Sequence, residues 1–111
     1  VAIKFRLKGL AETFLEEIKC PCCGNTGNDD QMFVTELTKV TYAGIIIIVQ
    51  CRLCAEIFVP LTQRLGILNP KKLREAVEKD SRETGDPVIP DISAVRLTVE
   101  HLNAARKGDL H

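Results

Sequence analysis

The chain opens on an alternation. In "VAIKFRLK" the apolar residues Val1, Ile3, Phe5 and Leu7 hold the odd positions, while Lys4, Arg6 and Lys8 hold even ones. That period of two predicts a half-buried strand, ended by Gly9. In "LAETFLEEI", residues Leu10, Phe14 and Ile18 stand four apart, a stripe that predicts a short helix leading into Cys20. The polar cluster "GNTGNDD" at 24–30 reads as a turn. After it, "QMFVTELTKVTY" is rich in β-branched and aromatic residues, and "GIIIIVQ" follows across an "AG" bend at 43–44. These two segments predict an antiparallel hairpin. A third short strand, "EIFVP", stops at Pro60.

Every position from Ile45 to Val49 is apolar, so each face of that strand needs a cover. The flanking helices or a second copy of the chain are the candidates. The last part reads as helical. Asn69 is placed to cap, Pro70 to occupy the first helical position, and "KKLREAVEKDSRET" runs to a stop at Gly85. Leu73, Ala76 and Val77 form its narrow apolar stripe. "DPVIP" predicts an extended linker. A second helix starts near Asp91 or Ser93 and ends at Gly108, with Ile92, Val95, Val99 and Leu102 as a seam for a neighbour.

The predicted architecture is therefore α+β: one domain over 1–111, with a strand and short helix at 1–19, a three-stranded antiparallel sheet within 20–60, and a helical extension at 61–108. A length of 111 residues suits one compact domain of roughly 100–150. With no Trp and one Tyr, the core must be aliphatic. The longest apolar run, "AGIIIIV", falls far short of the ~20 residues of a membrane-spanning helix. No basic-then-apolar leader opens the chain, and five cysteines fit a disulfide scaffold poorly. A reducing, cytoplasmic setting is the expectation. Formal charge is zero overall, and by segment it runs +1 (1–19), −2 (20–60), +2 (61–85) and −1 (86–111). No segment concentrates the positive charge that phosphate-backbone binding needs, so nucleic acid is a secondary candidate partner.

The cysteines carry the chemistry. Two residues separate Cys20 from Cys23, and two separate Cys51 from Cys54. That spacing lets a tight turn aim both sulfurs at one centre, and a hairpin that sets two such turns side by side offers four sulfurs in a tetrahedron. Zn²⁺ favours that arrangement in structural sites. The 27 residues from 24 to 50 exceed the ~15–20 of the usual spacing rule, an excess that long hairpin strands absorb. Cys22 is left out of the ligand set as a spare thiol on the turn.

With "CPCCG" at 20–24 and "CRLC" at 51–54, the chain resembles the zinc-ribbon superfamily over residues 20 to 60. The resemblance implies four-cysteine coordination of structural zinc, and a residue with positive φ just after each pair. Gly24 fits that role; at the second pair Ala55 stands where many ribbons have glycine. Ribbons serve many unrelated functions, so the likeness implies a metal rather than a role. Rubredoxin-like iron shares the sulfur geometry and ranks below zinc. "CPCC" also resembles the C-P-x-C of glutaredoxin-type proteins, but there the motif sits between a strand and a helix.

Little points to catalysis. His101 lies in the final predicted helix without an acidic or cysteine partner at metal spacing. Glu12 and Glu16 share a face of the first predicted helix, where acids on the solvent side are ordinary. "GILNPKKL" lacks the glycines and Ser/Thr of a phosphate loop. The expectation is a non-enzymatic zinc-binding module acting through protein–protein contact, with a homodimer through the Ile45–Val49 face or the final helix among the candidates. A nucleic-acid-binding ribbon and an iron electron carrier are the alternatives.

Overall fold

The computed structural model describes residues 3–27 and 32–108. Val1, residues 28–30 of the polar turn, and His111 lie outside the described residues. Three small antiparallel sheets and two helices make up the described chain. Strands β1 (Ile3–Leu7) and β2 (Ala11–Leu15) form a hairpin, β3 (Ile18–Lys19) and β4 (Thr26–Gly27) a two-stranded sheet, and β5 (Phe33–Thr41), β6 (Gly44–Cys51) and β7 (Ile57–Phe58) a three-stranded one. β8 (Arg64–Ile67) returns to pair with β2. Helix α1 (Pro70–Thr84), a 3₁₀ turn (Ile92–Val95) and helix α2 (Arg96–Arg106) complete the chain.

The helix expected over "LAETFLEEI" is instead β2 and β3, and the turn before it explains why. Lys8 and Gly9 both take positive φ, 42° and 74°, and Leu10 N–H donates to the Leu7 carbonyl at 2.7 Å. Left-handed backbone at both central residues suits a tight β-hairpin turn, so the chain folds back on β1 in the register Ile3↔Leu15 to Leu7↔Ala11. The buried residues of β2 are Ala11, Thr13 and Leu15, a period of two in which Thr13 is a polar member. Its hydroxyl is satisfied by donating to the Ile45 carbonyl. Leu10, Phe14 and Ile18 do not form one stripe: Leu10 and Ile18 pack with the main apolar cluster, while Phe14 lies half-buried beside Lys4 and Arg64, 5.2 and 5.9 Å from the ring centre.

The hairpin β5–β6 forms as expected, with a register shift between Thr35 and Leu37. Both faces of β6 are covered from within the chain. Ile45, Ile47 and Val49 pack with Ala11, Leu15, Leu73 and Val77. Ile46 and Ile48 pack with Ile57 and Val95, flanked by Val99 and Leu102. The seam of the final helix therefore finds its neighbour in the protein's own sheet, leaving Ile92, 39 % exposed, at its start. The two surfaces named for a homodimer are occupied internally. α1 matches its signals: Asn69 Oδ1 accepts from Lys72 N–H, and Gly85 closes the helix with φ 78°.

Two side-chain amides finish the β5–β6–β7 sheet. Beyond the end of β7, Gln63 accepts from Ile47 N–H at 3.0 Å and donates to the Ile47 carbonyl at 3.3 Å. On the free edge of β7, Asn103 accepts from Ile57 N–H at 2.9 Å and donates to its carbonyl at 2.8 Å. Each amide mimics one residue of a neighbouring strand, so backbone groups cut off from water keep partners. Asn103 also helps to tie α2 to the sheet. Asn103→Ala leaves a donor and an acceptor unpaired and is expected to lower stability by about 2 kcal/mol or more, whereas Glu100→Ala on the exposed side should stay within about 0.5 kcal/mol. Urea unfolding followed by circular dichroism checks both.

Candidate metal centre

The two cysteine pairs sit on the same local fold, built twice. In the first, Cys20 N–H donates to the Asn25 carbonyl (2.8 Å) and Gly24 N–H to the Cys20 carbonyl (3.0 Å). In the second, Cys51 N–H donates to the Glu56 carbonyl and Ala55 N–H to the Cys51 carbonyl, both at 2.9 Å. A strand leads in and a two-residue strand leads out in each case, β3 to β4 and β6 to β7. Gly24 has φ 78° and Ala55 φ 66°. The second turn is thus the same as the first despite its alanine, which sits in a conformation that β-carbons disfavour.

These turns bring Cys20, Cys23, Cys51 and Cys54 together, with all four Sγ atoms within 4.8 Å of one another. The close pairs cross between the turns: Cys20 to Cys54 at 3.5 Å and Cys23 to Cys51 at 3.6 Å. A tetrahedral metal at ~2.3 Å from each sulfur would space them by about 3.8 Å. The donor set fits a metal, and a thiophilic one. Cys20 and Cys51 are buried on the inner side, Cys54 is half-buried, and Cys23 is exposed. The inner pair belongs to the apolar cluster that also holds Phe33 and Phe58, whose rings meet edge to face at 5.8 Å.

Backbone donors are already aimed at the sulfurs. The N–H groups of Cys22 and Cys23 reach Cys20, that of Asn25 reaches Cys23, and those of Leu53 and Cys54 reach Cys51. Asn25 adds its side-chain Nδ2 to Cys51 Sγ at 3.6 Å. Burial works against ionisation of Cys51, but these N–H groups and the adjoining thiol prevail and hold it down to about 6. At Cys23 the Asn25 N–H favours the thiolate, yet burial and the three crowding sulfurs win, and the thiol is pushed up to about 12. Burial likewise raises Cys20. Thiolates crowded into one volume repel one another. A divalent cation removes that conflict, because it binds the deprotonated form of every ligand.

Cys22 is exposed and stands outside the cluster. His101 is an exposed residue of α2. Glu12 and Glu16 lie on β2 and just after it, and each holds a cation: Glu12 meets Lys4 (3.2 Å) and Arg6 (3.4 Å), and Glu16 meets Arg64 at 2.5 Å. Lys4 foremost keeps the Glu12 carboxyl below its usual range. "GILNPKKL" is the end of β8 and the start of α1. Sequence reasoning missed the amide of Asn25: the "GN" after the first pair reads as turn chemistry, and nothing in one dimension aims it at Cys51.

The shared turn makes a paired prediction. A β-carbon on Gly24 would meet no atom within 4 Å, so Gly24→Ala adds backbone strain alone and should cost about 1 kcal/mol. Ala55→Gly should relieve the same strain and stabilise by about 0.5–1 kcal/mol, less the flexibility it adds to the unfolded chain. Thermal melts of the two variants should shift in opposite directions. Comparison with protein-family models, with curated proteins and with solved structures gives no match, so the role of the site has to be argued from its own chemistry.

Proposed function

We propose that this chain is a small zinc-binding protein whose metal, held by Cys20, Cys23, Cys51 and Cys54, is structural, and that it works as a protein–protein interaction module. One observation carries the metal: four sulfurs from two matched turns within 4.8 Å of one another. A structural rather than catalytic role follows from the donor set. Four thiolates fill a tetrahedral shell and leave no open position for substrate or water. Iron is the second reading, since the same donors suit it.

Protein is the favoured partner class because of what surrounds the site. Lys4, Arg6 and Arg64 are tied to carboxylates, and a metal with four thiolates carries a formal −2, which disfavours phosphates. Beside the first turn, Pro21, Phe58, Val59 and Leu61 line a groove of about 420 Å³. Leu61 is 95 % exposed, and Leu53, on the second turn, 69 %. Large apolar side chains left in water next to a rigid centre are features of contact surfaces.

Purified protein should contain one zinc per chain by elemental analysis and be colourless; a red protein with iron would transfer the reading to electron transfer. Stripping the metal with a strong chelator should lower the thermal midpoint by roughly 10 °C or more. A midpoint unchanged after stripping would defeat the structural role. Leu61→Asp, at a site with nothing to unpack, should leave that midpoint alone and abolish capture of any protein that wild type retains.

A further inference from the structure

Within the proposed metal centre, we infer that Asn25 is a positioning residue: its side-chain amide ties the first turn to the second by donating to Cys51 Sγ. The two turns superpose residue for residue in their backbone hydrogen bonds, so Asn25 and Glu56 occupy matching places, each accepting from the first cysteine of its own turn. Their side chains differ in the one respect that matters. Asn25 can donate and does so across the gap, Nδ2 to Cys51 Sγ at 3.6 Å. A carboxylate at the matching place has no proton to give and would repel sulfur.

The backbone of Asn25 fixes the aim of that side chain. Its carbonyl takes Cys20 N–H at 2.8 Å, and its own N–H reaches Cys23 Sγ. One residue therefore touches both sulfurs of the close pair Cys23–Cys51, which stand 3.6 Å apart. With all four ligands deprotonated, as metal binding requires, the cross-turn sulfur contacts repel unless a cation lies between them. The amide contact from Nδ2 to Cys51 Sγ attracts without the cation. It brings the half-sites together before the metal arrives, and it withdraws charge from Cys51 once the metal is bound. Partners of this kind, one step beyond the ligands, typically contribute 10–100-fold to metal affinity.

The test uses the intact chain with Zn²⁺ and Co²⁺ as probes. Zinc affinity is measured by competition with a chromogenic chelator, and the sulfur-to-cobalt charge-transfer band reports electron density at the ligands. Asn25→Ala should weaken zinc binding at least tenfold and shift the cobalt band, while Glu56→Ala leaves both unchanged. Asn25→Asp keeps the size and shape of the residue but replaces the donor with an anion, so it should weaken binding more than Asn25→Ala; loss of packing cannot account for that order. Affinities within twofold of wild type in both Asn25 variants would overturn the inference. So would equal losses in Asn25→Ala and Glu56→Ala, which would mark a general sensitivity of the turns. Failure of wild type itself to bind zinc or cobalt would bring down the metal reading on which this one rests, and it is told apart because it needs no variant.

Discussion

Four thiols confined to one small volume are the constraint around which the described structure is arranged. Two of them, Cys20 and Cys51, are buried in the main apolar cluster. Burial opposes the ionisation of both. The chain answers with converging N–H groups, the same answer helix caps and anion nests use for other concentrated negative charge. Those donors lower the electrostatic penalty without removing it. On the proposed reading a divalent cation supplies the remainder, and the folding of residues 20–58 and the filling of the site become one event. The sheet β3–β4 supports this: each of its strands has only two residues, too few to stand alone, so the first turn depends on what its sulfurs meet.

The second constraint is β6, which enters that centre through Cys51. A strand apolar on both faces cannot form the surface of anything, and here it becomes the middle layer. β2 and α1 lie on one side, while the 3₁₀ turn and α2 lie on the other. Because Val49 and Cys51 continue the side that packs on Leu15 and Phe58, the position of the second cysteine pair is set by the same contacts that build the core. On the proposed reading, loss of the metal and loosening of the core would therefore be coupled through one strand, not through a chain of intermediaries.

How much of this was legible in one dimension depends on range. The hairpin, α1 with its Asn69 cap and Gly85 stop, and the four clustered cysteines follow from local spacing, and they stand where spacing puts them. β2 was misread because Leu10, Phe14 and Ile18 imitate a helical stripe, whereas the deciding signal was the "KG" turn that returns the chain onto β1. The inward Thr13 hid the true alternation, since a threonine counts as polar until its hydroxyl finds the Ile45 carbonyl. β8 was missed for a related reason: "RLGI" has no period of its own and becomes a strand by pairing with β2. The amides of Gln63 and Asn103 were unreadable in principle. Their meaning lies in which strand edge they meet, and that is a fact of tertiary structure.

The distribution of exposed apolar surface then bears on role. Had the protein been built to join copies through β6 or the α2 seam, those residues would have been left uncovered; instead Ile45–Val49 and Val95 are buried, and Val99 and Leu102 are half-buried against the protein's own sheet. The large side chains that do remain in water include Leu53 and Leu61, one within the second cysteine turn and one on the groove beside the first. Leu53 lies between Cys51 and Cys54, and Leu61 lines a groove with Cys20 and Pro21, so on the proposed reading a surface read there by a partner would depend on the centre. On that argument the metal is not a passive staple. On the proposed reading it would help shape the contact surface, and a module of this design would report its own metal status to whatever binds it.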